Sequence, residues 1–301
     1  MVPRPMPQSS QPRDLRVRVL RSGSSGNAIL VETDTTRIIV DAGLPADAIL
    51  RELEPNGASA RVDAILQTHE HDDHAKGAGA LSRATGASIW MNAPTLRSGG
   101  AQFAPLPVEV FQTGRSFVVG DLEIESFLVP HDAAEPVGFV IHWRGRRVVA
   151  ACDLGDVTDS LIDRARGADL LLLEANYDVR LLAISSYPWF LKNRILSLRG
   201  HLSNDLAARA VAAAARHAPP STVYLVHLSE MNNLASLARD TVRDALAAEG
   251  ATHVRVEAVR ANSGSAWWTI GAATPAVALA AAPGVAPALT GLGAAATSAA
   301  G

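Results

Sequence analysis

The sequence predicts an α/β fold of packed sheet and helix layers. Three observations carry that expectation. Short stretches with period-two alternation recur through the chain. Apolar runs such as "VDAILQT" and "ADLLLLEAN" read as buried strands. Amphipathic helical stretches are interleaved with both.

Taken in order, "LRVRVL", "AILVET" and "TRIIVD" are three consecutive strands with tight connections, and "PADAILREL" has helical spacing. "VDAILQT" is a strand followed by a helix over "HAKGAGALSRATG". Then come strands at "ASIWM", "VEVF", "SFVV", "LEIESFLV", "VGFVIHW" and "RVVAAC". "VTDSLIDRARG" is a helix and "ADLLLLEAN" a strand. "SNDLAARAVAAAARH" is a helix capped by Ser203 or Asn204. "STVYLVHLS" is a strand, and "NNLASLARDTVRDALAAEG" is a helix ending at Gly250. No internal repeat has a fixed period.

The 301 residues, 48% of them hydrophobic and 19% charged, suffice for a sizeable core. The net charge of -3 gives no global nucleic-acid footprint, though a local one stays open. Positive charge is nearly all arginine; Lys76 and Lys192 are the lysines. A single cysteine, Cys152, excludes an intrachain disulfide and fits a reducing compartment. With no signal-peptide core or spanning run, a cytoplasmic location without membrane contact is expected. Residues 1–14, rich in Pro, Gln and Ser, are expected to be disordered. Residues 271–301, built of Ala, Gly, Pro and small aliphatics, read as a flexible tail, with a membrane or partner anchor as the alternative. The folded domain is therefore placed at 15–270.

The chemistry concentrates in "QTHEHDDHAKG", which sets His69, His71 and His74 within six residues in a chain of nine histidines. It follows a buried strand and leads into a helix. A solvated loop would not specify four such positions together. Spaced H-x-H-x-D-H, His69 and His71 reach one ion and Asp73 and His74 a second. Imidazole and carboxylate donors suit zinc, with manganese or iron as alternatives. His131, Asp153 and His227 each follow a hydrophobic strand and would complete the set; Asp153 has two oxygens and can bridge. Cys152 points to the opposite face and reads as a small buried residue. His142, His217 and His253 read as ordinary polar positions. "YPWFLKNRILSLRGH" interleaves aromatics with Lys192, Arg194 and Arg199, so it lines either a nucleic-acid groove or a helix with solvated cations.

"THEHDDH", with His131, Asp153 and His227 in that order, resembles the metallo-β-lactamase fold superfamily over about residues 15–270. The resemblance implies an αβ/βα four-layer sandwich of two mixed β-sheets with outer helices and a dinuclear site at one edge. It implies that His69, His71 and His131 hold one divalent ion and Asp73, His74 and His227 the other, with Asp153 bridging. Zinc is the first expectation and manganese the second. Asp41, ending "RIIVDAG", would orient the site. "RSGSSGNA", the stretch from Glu174 to Asn204 and "HLSEMNN" resemble the WalJ/YycJ group, near ribonucleases Z and J. That implies a Glu174–His201 pair moving a proton beside the catalytic Asp73. It also makes Ser24, Ser25 and Asn27 substrate contacts at the rim of the site; Lys192 and Arg194, from the aromatic and basic stretch, are the other substrate contacts expected.

The expected function is a metal-dependent phosphodiesterase or exonuclease acting on nucleic acid. With no exosite arm or inserted domain of the ribonuclease kinds visible, the WalJ/YycJ group is favoured, and that resemblance implies an exonuclease acting on DNA. Bound ions would lower the pKa of water from ~15.7 toward ~7, making a bridging hydroxide available to attack phosphorus. The rivals are an ester, thioester or lactone hydrolase of the same fold and a non-catalytic metal-binding regulator. The oligomeric state is left open.

Overall fold

The computed structural model describes residues 14–53, 60–103 and 106–272. Two seven-stranded sheets face each other. The first comprises β1 (Asp14–Arg21), β2 (Ala28–Glu32), β3 (Arg37–Val40), β4 (Ala64–Leu66), β5 (Ser88–Asn92), β6 (Val108–Phe111) and β14 (Trp268–Gly271), in the order β14-β1-β2-β3-β4-β5-β6. The second comprises β7 (Ser116–Val119), β8 (Leu122–Leu128), β9 (Val137–Trp143), β10 (Arg146–Ala151), β11 (Leu170–Glu174), β12 (Thr222–Val226) and β13 (Arg255–Ala258), in the order β13-β12-β11-β10-β9-β8-β7.

Each sheet begins with antiparallel pairing and continues parallel, from β3 to β6 and from β10 to β13. Parallel neighbours need crossovers, and helices supply most of them. They include α1 (Ala46–Leu53), α2 (Asp72–Ala75), α3 (Ala78–Thr85), α4 (Ala93–Gly99), α5 (Asp159–Ala165), α6 (Val179–Ile184), α7 (Trp189–Leu196), α8 (Asn204–Ala215) and α9 (Ala235–Ala248).

Strand alternation sorts side chains into separate cores. Ile38 and Val40 face the other sheet, where they join Phe139 and Tyr224, while Ile39 packs with Ile49 and Leu81 under α1 and α3. Likewise Leu170 and Leu172 enter the inter-sheet core, and Leu171 and Leu173 pack against α8 and α9. The result is the expected αβ/βα four-layer sandwich. Each fully buried Leu or Ile contributes roughly 1.5–3 kcal/mol.

Several local expectations differ from the structure. The helix expected over "HAKGAGALSRATG" is two, α2 and α3. Gly77 breaks it by donating to Ala42 O at 2.8 Å, and a Cβ there would lie 1.8 Å from Leu44 O. Asp14, expected to be disordered, opens β1, and Gly271, assigned to the tail, closes β14; the two pair with each other. Ala272, also assigned to the tail, packs against the inter-sheet core; residues 1–13 and 273–301 lie outside the described residues. Ser203 caps α8 by accepting from Leu206 N–H, as expected. Gly250 is left-handed one residue beyond the α9 C-cap, Glu249. No described helix is long and apolar enough to cross a membrane.

Candidate metal centre

The site lies where the C-terminal ends of β3, β4, β10, β11 and β12 meet. Asp41 follows β3, and the loop Gln67–His71 with α2 follows β4. His131 lies beyond β8 and Asp153 beyond β10. Glu174 ends β11 and His227 follows β12. Asp41, Asp153 and His227 have φ of 59°, 53° and 56°, three of the five non-glycine residues with positive φ among the described residues. That left-handed geometry is strained, and it persists because the surroundings over-determine it.

In the first sheet the fixing group is Asp41. Its carboxylate accepts from Thr68 N–H (2.8 Å), Gln67 Nε2 (3.0 Å), Thr68 Oγ1 (2.8 Å) and His74 Nδ1 (2.7 Å). His74 therefore turns Nε2 inward, 2.8 Å from Asp153 Oδ2. In the second sheet the fixing group is Glu174, which is fully buried. Its Oε1 accepts from His201 Nδ1 (2.7 Å) and His227 Nδ1 (2.9 Å), and its Oε2 from the amides of Leu154 and Leu202. His131 Nδ1 donates to Gly200 O at 2.9 Å, which turns its Nε2 to the site.

The inward-facing atoms form three overlapping donor groups: His69, His71, His131 and Asp153; Asp73, His74, Asp153 and His227; and Asp153, Glu174, His201 and His227. Within each, the donor atoms lie within 4.8 Å of one another. Asp153 belongs to all three. Buried polar atoms are normally paired, yet Nε2 of His69 and of His227 are buried with no hydrogen-bond partner. His71 Nδ1 and His131 Nε2 stand 3.3 Å apart. Imidazole nitrogens aimed at one another and at a carboxylate fit a divalent cation. Cys152 is in no donor group. Its side chain packs on the inter-sheet core, and burial pushes its thiol well up. Among the described residues His142, His217 and His253 also stand outside these groups.

The electrostatics divide the histidines. Burial and the nearby His74 imidazole hold His69 well below the usual range, and burial holds His131 down too, against the pull of Asp153. Burial also disfavours charge on His74 and His227. There Asp153, reinforced by Asp41 at His74 and by Asp73 and Glu174 at His227, prevails and raises both well above it. At His201 burial is again outweighed, by Glu174 and Asp153, and its pKa is pushed up to about 9. Asp153 goes the other way: burial opposes its charge, but His227 and His74 hold it well below the carboxylate range.

A cavity of about 320 Å³ opens on these groups. Of the expected substrate contacts, Ser24 and Arg194 line it; Ser25, Asn27 and Lys192 do not. Asn27 is buried, its amide spent on Gly23 and Asp73 and 3.0 Å from His74 Nε2. Ser25 contacts Asn262, and Lys192 Nζ donates to Ala183 O. Arg194 is held by Asp132 through Nε (2.6 Å) and Nη2 (3.3 Å). Sequence reasoning missed Ser22 and Asn176. They hold His227 in its left-handed turn, through its N–H (2.6 Å) and its carbonyl (2.8 Å) respectively. It also did not single out Leu191 and Ile195, which wall the cavity together with Tyr187, an aromatic of the stretch expected to line a groove. Only the position of Asn176 just past a strand end, in "EAN", could have signalled it.

Comparison with known proteins agrees with this geometry. The beta-lactamase superfamily domain matches residues 36–228. The chain is 38% identical over 242 residues to the exodeoxyribonuclease YycJ of Bacillus anthracis, covering 78% of this chain and 90% of that protein. It is also 38% identical over 235 residues to the exodeoxyribonuclease WalJ of Streptococcus pneumoniae, covering 76% and 87%. The metallo-beta-lactamase fold protein YhfI of Bacillus subtilis superposes with a TM-score of 0.64 at 19% identity, covering 85% of this chain and 99% of that one. With strand order, donor groups and relatives in agreement, the chain belongs to the metallo-β-lactamase superfamily, within its YycJ/WalJ group.

Proposed function

We propose that the protein is a phosphodiesterase of the exonuclease kind, with DNA as its substrate and two divalent ions, zinc before manganese, as its cofactor. The observation that carries this reading is His201, held by the buried Glu174, on the wall of the same cavity as the candidate metal donors. His69, His71 and His131 would hold one ion and Asp73, His74 and His227 the other, with Asp153 shared. When bound, such ions polarise phosphoryl oxygens and supply a nucleophile at neutral pH.

The chain's own residues do the rest. A leaving sugar alkoxide needs a proton, whereas a thiolate, with a pKa near ~8.5, leaves unaided. His201 carries a proton at neutral pH because of Glu174 and Asp153. With Nδ1 tied to Glu174, it presents Nε2 to the cavity. Glu174 fixes that tautomer and keeps the ring from turning. A thioesterase has no use for this proton donor, so the pair favours a substrate with an oxygen leaving group, and nucleic acid is preferred among these. The 38% identity to two exodeoxyribonucleases supports the same choice.

The test is cleavage of end-labelled single- and double-stranded DNA, RNA and a tRNA precursor by protein loaded with zinc or manganese, beside Asp73→Ala. Metal-dependent shortening of DNA, absent in the variant, is expected. Intact nucleic acid alongside hydrolysis of thioesters or lactones would reject the proposal.

A further inference from the structure

Next to the cavity lies a surface that its chemistry does not use. The segment from Val179 to Gly200 carries α6 and α7. On it Ile184 is 82% exposed, Trp189 73% and Phe190 74%, with Leu196 and Leu198 also open to solvent. The inner face of α7 walls the cavity through Leu191, Arg194 and Ile195, with Tyr187 just ahead of it. The outer surface of this helix therefore continues directly from the mouth of the site. The segment holds four cations, Arg180, Lys192, Arg194 and Arg199, and no carboxylate, in a chain of net charge -3.

We propose that this segment is a platform for single-stranded nucleic acid, with unpaired bases stacking on Trp189 and Phe190 while the strand end enters the cavity. The proposal rests on the nuclease reading and names the form of its substrate. Aromatic rings interleaved with cations match a strand that offers π-faces and phosphates together. The cavity, about 320 Å³, is at the small end of ligand sites, of a size suited to a nucleotide. Arg180 and Lys192 are the cations that keep donors for phosphates, Lys192 giving one of its three N–H groups to Ala183 O. Arg194 is spent on Asp132, and Arg199 holds the carbonyls of His131 and Ala133. That last contact also roots the platform against a metal donor, so its position relative to the site is fixed.

The experiment is fluorescence anisotropy with a labelled phosphorothioate single strand, which binds without being cut, on the metal-loaded full chain across a salt series. Trp189→Ala with Phe190→Ala should weaken binding about tenfold or more without altering the salt slope, because stacking is not ionic. Trp189→Tyr keeps a ring and should restore most of the affinity. Arg180→Gln with Lys192→Gln should instead flatten the slope of log K against log salt by about 1.4, at 0.7 per cation.

Unchanged affinity in the aromatic variant overturns the platform, even where the wild type still degrades DNA. A wild type that degrades DNA only from fully paired ends overturns it too. If the wild type neither binds nor cuts any strand, both the platform and the nuclease reading fall. Two further results would reassign the surface and overturn the proposal, provided oligonucleotide affinity is unchanged. One is loss of binding to phosphatidylserine vesicles; the other is dissociation of a dimer.

Discussion

The two sheets supply the centre in different ways. The first delivers His69, His71, Asp73 and His74 from one loop and the turn of helix after it, fixed by Asp41. The second delivers His131, Asp153, His201 and His227 from four separate strand or loop ends, and Glu174 fixes two of them. Each half uses one buried carboxylate as a hub, and each hub accepts from four donor groups. The difference is what the hubs hold. Asp41 orients a metal donor alone. Glu174 orients a candidate metal donor, His227, together with His201, the proton donor of the proposed reaction. On the proposed function, the same device would serve binding in one half and binding plus catalysis in the other.

Asp153 joins the halves, so its loss should be the most damaging. Asp153→Asn should strip metal from every donor group. Losing several kcal/mol of transition-state charge stabilisation is about 10³-fold or more in turnover, at 1.36 kcal/mol per tenfold. Metal analysis beside the cleavage assay reads both, and a metal-replete, active variant would contradict the shared role. His201→Ala should retain metal and lose about 10²–10⁴-fold in kcat on DNA. The loss should shrink sharply on a diester with a nitrophenol leaving group, which needs no proton.

The hubs themselves come next. Asp41→Asn should weaken metal binding about 10–100-fold while the reloaded enzyme keeps its pH profile. Glu174→Gln should weaken binding and also shift that profile. Identical behaviour of the two variants would erase the distinction drawn above. The smallest effect is in pH. His74 and His227 hold protons to higher pH than usual, whereas His69 and His131 stay neutral to lower pH. A donor must lose its proton to bind a cation. On acidification the Asp73–His74–His227 group should therefore release metal first. Metal content per chain after dialysis at falling pH should decline in two steps, not one.

The same contrast governs what the sequence could reveal. Three histidines in six residues announce themselves, and strand-end positions exposed His131, Asp153 and His227 because a buried apolar run preceded each. Asn176 and Ser22 stayed hidden because they act on a backbone turn whose strain no residue pattern records. The break at Gly77 is likewise tertiary: the carbonyl of Leu44, far back in the chain, leaves no room for a side chain there. β14 is four residues long and earns its place only by pairing with β1. The substrate contacts were the least legible, since whether Arg194 or Lys192 is free depends on Asp132 and Ala183.

The left-handed turns at Asp41, Asp153 and His227 bear on how this protein can evolve. Asn, Asp, His and Gly tolerate that backbone best. Most replacements at these positions therefore injure folding and chemistry in one stroke, and selection removes them quickly. Asn and Gly are the exits that spare the fold. A descendant that abandoned catalysis while keeping the scaffold should carry one of those two residues at such a turn.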